Sequence, residues 1–131
     1  MAANSEAILN HRYLEMVRLL NVYLNHFPKH EKYALASIIR NTAYEIFDLI
    51  TECQKRYFKK TSLTQLDVTH EKLRMQIYLA NELGYFSFKD GKKDLEMESV
   101  YRFLAISRLI DEIGKIIGGW IKSLKDSGNF K

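Results

Sequence analysis

Proline occurs once in the 131 residues, at Pro28, and glycine only six times. So few interruptions argue against a fold of many short strands and tight turns, and suit long helices with short connections. Cysteine also occurs once, at Cys53. That excludes an intramolecular disulfide framework and fits a reducing compartment such as the cytoplasm. No apolar run approaches the roughly 18 residues of a spanning helix. Residues Met1 to Glu6 are polar and lack the charged-then-apolar order of a secretion signal. Internal repeats, low-complexity tracts and linkers are missing too. What remains is a chain 47% hydrophobic, enough for one domain with a real core over residues 1–131. The expectation is a soluble, intracellular, all-α domain.

Apolar periodicity predicts four helices, at about 5–26, 28–60, 62–83 and 94–124. The first carries Tyr13, Met16, Val17, Leu20, Leu24 and Phe27 on one face. Pro28 ends it and suits the first turn of the next helix, where its missing N–H is harmless. The second presents Leu35, Ile38, Ile39, Thr42, Ile46, Leu49, Ile50, Cys53 and Tyr57 inward. Ser62-Leu63-Thr64-Gln65 reads as a capping box opening the third helix. Its stripe is Leu66, His70, Leu73, Ile77, Ala80 and Leu83, and Gly84 reads as its C-terminal cap. A loop from Tyr85 to Lys93, with Asp90-Gly91 as its turn signal, leads to the fourth helix. Residues 125–131 read as a frayed tail. Four such helices fold most economically as an antiparallel up-down-up-down four-helix bundle.

The fourth helix holds an anomaly. Gly114, Gly118 and Gly119 lie inside it, where each costs roughly 1 kcal/mol relative to alanine. Gly114 and Gly118 are four apart and share a face. Close approach of another helix, within the bundle or between subunits, would compensate, with Trp120 and its isoleucine neighbours covering the surrounding surface. A fraying C-terminal helix is the other reading.

Catalytic chemistry finds little support. A bundle di-iron site needs two Glu-x-x-His pairs and two further glutamates. The nearest approach is Asp67-x-x-His70, once, and His11, His26 and His30 fall near helix ends or on other faces. His70, on the apolar stripe, reads as a neutral, hydrogen-bonded core histidine. Cys53 on the inward stripe reads as a small hydrophobe. Glu45, Asp48 and Glu52 share a face of the second helix, as solvated carboxylates commonly do. Phosphate-loop, nucleophile-elbow and zinc-type patterns are absent from the sequence. The expectation is a non-enzyme with no cofactor, no metal and no small-molecule substrate.

The basic residues say more. Twenty stand against 16 acidic, a net +4 that permits nucleic-acid binding without establishing it. Lys55, Arg56, Lys59 and Lys60 form a cluster with no acid between them, an anion-binding candidate. Arg108, Lys115 and Lys122, seven apart, form a stripe on the fourth helix. Asp111, four residues before Lys115, is placed to pair with it.

The run Asp111-Glu112-Ile113-Gly114-Lys115-Ile116-Ile117-Gly118-Gly119-Trp120-Ile121-Lys122 resembles the C-terminal signature of Avd, the accessory variability determinant of diversity-generating retroelements. Two further segments are similar: Phe27-Pro28-Lys29 through Ile38-Ile39-Arg40-Asn41, and Leu66-Asp67-Val68 through Leu73-Arg74 to Leu79-Ala80-Asn81-Glu82-Leu83-Gly84. Together they cover about residues 10–124. Proteins encoded by intervening sequences in 23S ribosomal RNA genes share the proline-led second helix, but the Gly-Gly-Trp ending favours Avd.

The resemblance implies a homopentameric barrel of four-helix bundles that binds a retroelement reverse transcriptase and RNA or DNA, supporting mutagenic copying. It adds Arg40 and Arg74 to the candidate contact residues, alongside Lys55, Arg56, Lys59, Lys60, Arg108, Lys115 and Lys122. Some members of that family have another arginine one turn after Arg74; here that position is Tyr78, either a base-stacking residue or a plain surface tyrosine. An oligomeric scaffold that never touches nucleic acid is the contrasting reading.

Overall fold

The computed structural model describes residues 3–88 and 96–131, with side chains from Glu6 and again from Met97. The Asp90-Gly91 turn and the expected helix start at Asp94 lie outside the described residues. Among the described residues there are four α-helices and no strand: α1 Ala3–Leu24, α2 Leu35–Lys55, α3 Lys60–Glu82 and α4 Glu96–Asp126.

The packing follows from the spacing of apolar residues. In α4, Ile106, Ile110, Ile113, Ile117 and Trp120 are buried at alternating steps of four and three. In α1, Leu9, Tyr13, Met16 and Leu20 step the same way. A mean repeat of about 3.5 residues keeps each seam along one side of its helix, so helices can pack lengthwise. Helix α1 lies against α2 and α4, and α3 lies against the same two. All four helices, with Phe27 and Phe86, contribute to one continuous core. Each fully buried aliphatic or aromatic side chain there contributes about 1.5–3 kcal/mol.

Side-chain bonds set the register. Gln54 of α2 donates to Asn10 of α1 (3.1 Å), while Arg40 donates to Asn21 further along α1 and to Asn25 just past its end (3.1 and 3.2 Å). The Lys60 N–H, at the start of α3, donates to the Lys131 carbonyl beyond the end of α4 (2.9 Å). Between α3 and α4, His70 meets Ile110 in the interior and Arg74 meets Asp111 at the surface.

Several boundaries differ from the periodicity. Pro28 does not enter α2; it precedes a 3₁₀ turn, Lys29–Glu31, whose Glu31 N–H donates to the Pro28 carbonyl. Glu31 then takes over at the head of α2. Its carboxylate accepts from the Leu35 N–H (3.4 Å) and from the Tyr85 hydroxyl (2.6 Å). These bonds, led by that from Tyr85, hold the Glu31 carboxyl below its usual range.

Helix α2 stops at Lys55, not Lys60. Arg56 is extended (φ −71°, ψ 142°), and the Lys59 ammonium donates to the Cys53 and Arg56 carbonyls, satisfying groups that a continued helix would have used. Helix α3 therefore starts two residues before the expected capping box. Ser62 lies buried inside it, and Gln65 turns to Thr69, because the Lys131 carbonyl takes up the Lys60 N–H from outside the helix.

Gly84 does cap α3, at φ +80°, with Tyr85 N–H bonded to Ala80 and Gly84 N–H to Asn81. Gly128 closes α4 the same way, at φ +75°, and folds residues 129–131 back onto α3. The tail is thus docked through its backbone. Ile38, Tyr57 and Leu83 face outward despite their expected places on the inward stripes. Phe86 and Phe88, just after α3, are buried, with Phe86 wedged among Tyr23, Phe27 and Phe103.

Candidate nucleic-acid interface

The break between α2 and α3 turns a run of chain into an end face. Over residues 55–60 the sequence reads Lys-Arg-Tyr-Phe-Lys-Lys, with four cations and no acid. The four do not play one role. The Arg56 guanidinium pairs with Glu52 one turn back (2.9 Å). Lys59 points inward: besides its two carbonyl bonds, its ammonium lies 5.8 Å from the centre of the Trp120 ring. Lys60 stands over the Phe130 ring at 5.9 Å, facing Lys125 over the same ring at 5.3 Å. Lys55 is exposed and makes no ion pair among the described residues. The docked tail thus adds Lys125 and Lys131 to the cluster.

Tyr57 and Phe58 project from this face. Tyr57 is 89% exposed and Phe58 61%, and their rings meet nearly perpendicularly with centroids 4.8 Å apart. Periodicity missed them, because a helix assumed to run on past Cys53 sends Tyr57 inward. The signal available was the string itself, two aromatics flanked on both sides by paired cations.

The second basic group runs along α4 toward the same end. Arg108, Lys115 and Lys122 are exposed, and 14 residues of helix separate the outer two by about 21 Å. The expected Asp111–Lys115 pair does not form. Asp111 is taken by Arg74 from α3, and Glu112 lies 3.6 Å from Arg12 of α1. Cations of neighbouring helices therefore pair with these two acids of α4. Arg108, Lys115 and Lys122 keep no carboxylate partner among the described residues.

Arg74 and Arg40 are partly buried and engaged by neighbouring helices. Arg74 pairs with Asp111 and also with Glu71 (3.2 Å), so its charge is matched locally. Arg40 ties α2 to α1 through Asn21 and Asn25. Tyr78 is half exposed beside Arg74 and Met75 on a groove between α3 and α4.

The glycines divide. A Cβ on Gly114 would stand 3.2 Å from His70 Nε2 and 3.3 Å from Arg74 Nη2, so its bare backbone admits both side chains. Gly118 and Gly119 are exposed, and a Cβ on either would meet nothing within 4 Å. The close approach expected at Gly118 is therefore not made within the chain. Trp120 lies in the chain's own core.

Titratable groups in the core are tuned toward neutrality. His70 Nε2 donates to the Ile110 carbonyl (2.8 Å), and burial pushes its pKa down. Burial, with Glu52 nearby, pushes the Cys53 thiol up to about 11, so it is not a thiolate at neutral pH. Among the described residues no three His, Cys, Asp or Glu side chains group to hold a metal ion, and no helix is long and apolar enough to cross a membrane.

The model of the bAvd-like family matches residues 7–124 of the chain. None of the curated proteins compared with the chain matches it.

Proposed function

From the premise that this chain belongs to the bAvd-like family, we propose that it is a non-enzymatic accessory protein of a diversity-generating retroelement. It binds the reverse transcriptase and nucleic acid through a basic oligomeric surface and supports mutagenic copying of RNA into DNA. The observation that carries the nucleic-acid part is the distribution of unmatched charge. Asp111 and Glu112 of α4 pair with cations from α3 and α1, while Arg108, Lys115 and Lys122 are left to lead toward the cation cluster at residues 55–60. Phosphates neutralised along such a track carry no base identity, so binding is sequence-tolerant.

Within the chain, the bonded pairs Asn10–Gln54, Asn21–Arg40, Lys60–Lys131 and Arg74–Asp111 support antiparallel neighbours, hence the up-down-up-down course. Between chains, the apolar residues exposed on α3, Val68, Met75, Tyr78 and Leu79, support a protein-contact face for a homopentamer or the polymerase. Assembly multiplies the modest charge of each chain into a field strong enough to gather RNA in the cytoplasm.

The test is light scattering on the purified protein with a salt-series titration of a structured RNA. A mass of five chains is expected. Log affinity should fall linearly with log salt, by about 0.7–0.9 per phosphate neutralised. The double variant Lys55→Glu/Arg56→Glu should weaken binding with the oligomer unchanged. A monomer indifferent to RNA at low salt would overturn the proposal.

A further inference from the structure

Phosphate neutralisation accounts for the cations at the α2–α3 junction but not for the two rings between them. Exposed aromatic side chains are costly in water, and a four-residue connection could turn on polar residues instead. Here the junction holds its rings outward. Lys59 pins the backbone from inside through the Cys53 and Arg56 carbonyls, and the Lys60 N–H is fastened to the docked tail. The perpendicular contact between the rings leaves at least one face of each uncovered by the other.

An occupant must offer flat apolar faces and negative charge together. A second copy of the same face would bring two clusters of net positive charge into contact, which is repulsive, since Glu52 at each is already paired with Arg56. A duplex buries its base faces in its own stack. A single strand presents both features at the spacing of one nucleotide.

We propose that Tyr57 and Phe58 form a base-stacking platform for single-stranded nucleic acid, with Lys55, Arg56 and Lys60 holding the adjoining phosphates. This rests on the nucleic-acid reading above and deepens it. The track along α4 gathers the polyanion without regard to strandedness, and the junction selects strands whose bases are free. Because the rings are already held outward, little ordering cost is left to binding. Such a surface prefers unpaired segments, whatever their sequence, to the helical parts of a structured RNA.

The experiment is fluorescence anisotropy with three labelled probes: a single-stranded RNA of about 12 nucleotides, an abasic strand of the same length, and a duplex. Each is titrated with the full chain and with Tyr57→Ala/Phe58→Ala, with oligomer mass and helix content checked in parallel. The double variant should lose roughly 5- to 150-fold in affinity for the single strand, the range for one stacked base. It should bind the abasic strand as the parent does, with the same salt slope. Tyr57→Trp/Phe58→Trp should restore single-strand binding.

Single-strand affinity within error of the parent, with binding still lost in Lys55→Glu/Arg56→Glu, would overturn the stacking platform and leave the electrostatic reading standing. An equal loss on the abasic strand would also overturn it, since the rings would then be acting through structure. A parent protein that binds none of the probes at low salt would sink both.

Discussion

His70 shows how one side chain joins two helices and makes the joint sensitive to protons. A backbone carbonyl only accepts, so the bond to Ile110 requires the proton on Nε2. The other ring nitrogen, Nδ1, is buried with no hydrogen-bond partner. Charging the ring would place a second N–H where nothing receives it, and desolvation lowers the pKa accordingly. Gly114 makes the approach possible, since any Cβ there crowds the imidazole. Because the folded-state pKa lies below the unfolded value, the unfolded chain takes up the proton first. The stabilisation is full above about pH 6.5 and is lost as pH falls from there toward the folded-state pKa. Thermal melts across this window should show stability falling with pH. In His70→Gln, which keeps a donor but cannot titrate, that part of the slope should vanish. An unchanged slope in the variant would assign the effect to other groups.

Between elements, the α2–α3 junction rests on a lysine where a glycine would be usual. The Lys59 ammonium satisfies two carbonyls at the end of α2 and lies over Trp120. Lys59→Met keeps the length of the side chain and removes its donors. It should cost about 1–2 kcal/mol, in line with charged hydrogen bonds at a partly exposed position. The check is a denaturant midpoint read beside that of Lys55→Glu/Arg56→Glu, which should hardly move, since Lys55 is unengaged and the Arg56–Glu52 pair is exposed. Equal midpoints for Lys59→Met and the parent would remove Lys59 from the cap. The junction also marks how far sequence reasoning reaches. Most of the buried seams of α1, α2 and α3 were legible, because their spacing is regular, although Ile38 and Leu83 face outward, and Gly84 was legible as a cap. The stop at Arg56 was not, for no glycine or proline announces it. Helical spacing continued past Arg56 therefore puts Tyr57 inward, and the continuous cation string is legible without the rings that complete it. Lys125 and Lys131 join the cluster through a tail whose docking is a long-range event, visible only once α3 and α4 are folded together.

For the whole molecule, the unanswered quantity is the cost of Gly118 and Gly119. Each weakens α4 by roughly 1 kcal/mol relative to alanine, and within the chain neither buys a close contact. Gly114 differs, since its bare backbone admits His70 and Arg74. A close contact over the exposed pair, where one forms, comes from outside the chain, where a missing Cβ lets a neighbouring backbone draw near. The proposed pentamer provides such neighbours. Gly118→Leu separates the two scales. With open space above it, leucine fits the isolated chain and improves its helix propensity, so helix content should be kept. If a second subunit packs over α4 at this point, the added side chain obstructs it, and the mass by light scattering should fall below that of the parent, with RNA affinity at low salt falling alongside as the pooled charge is dispersed. A variant with the parent's mass and a higher melting temperature would show that α4 faces solvent in the assembly at Gly118, and would move the subunit boundary to the apolar face of α3.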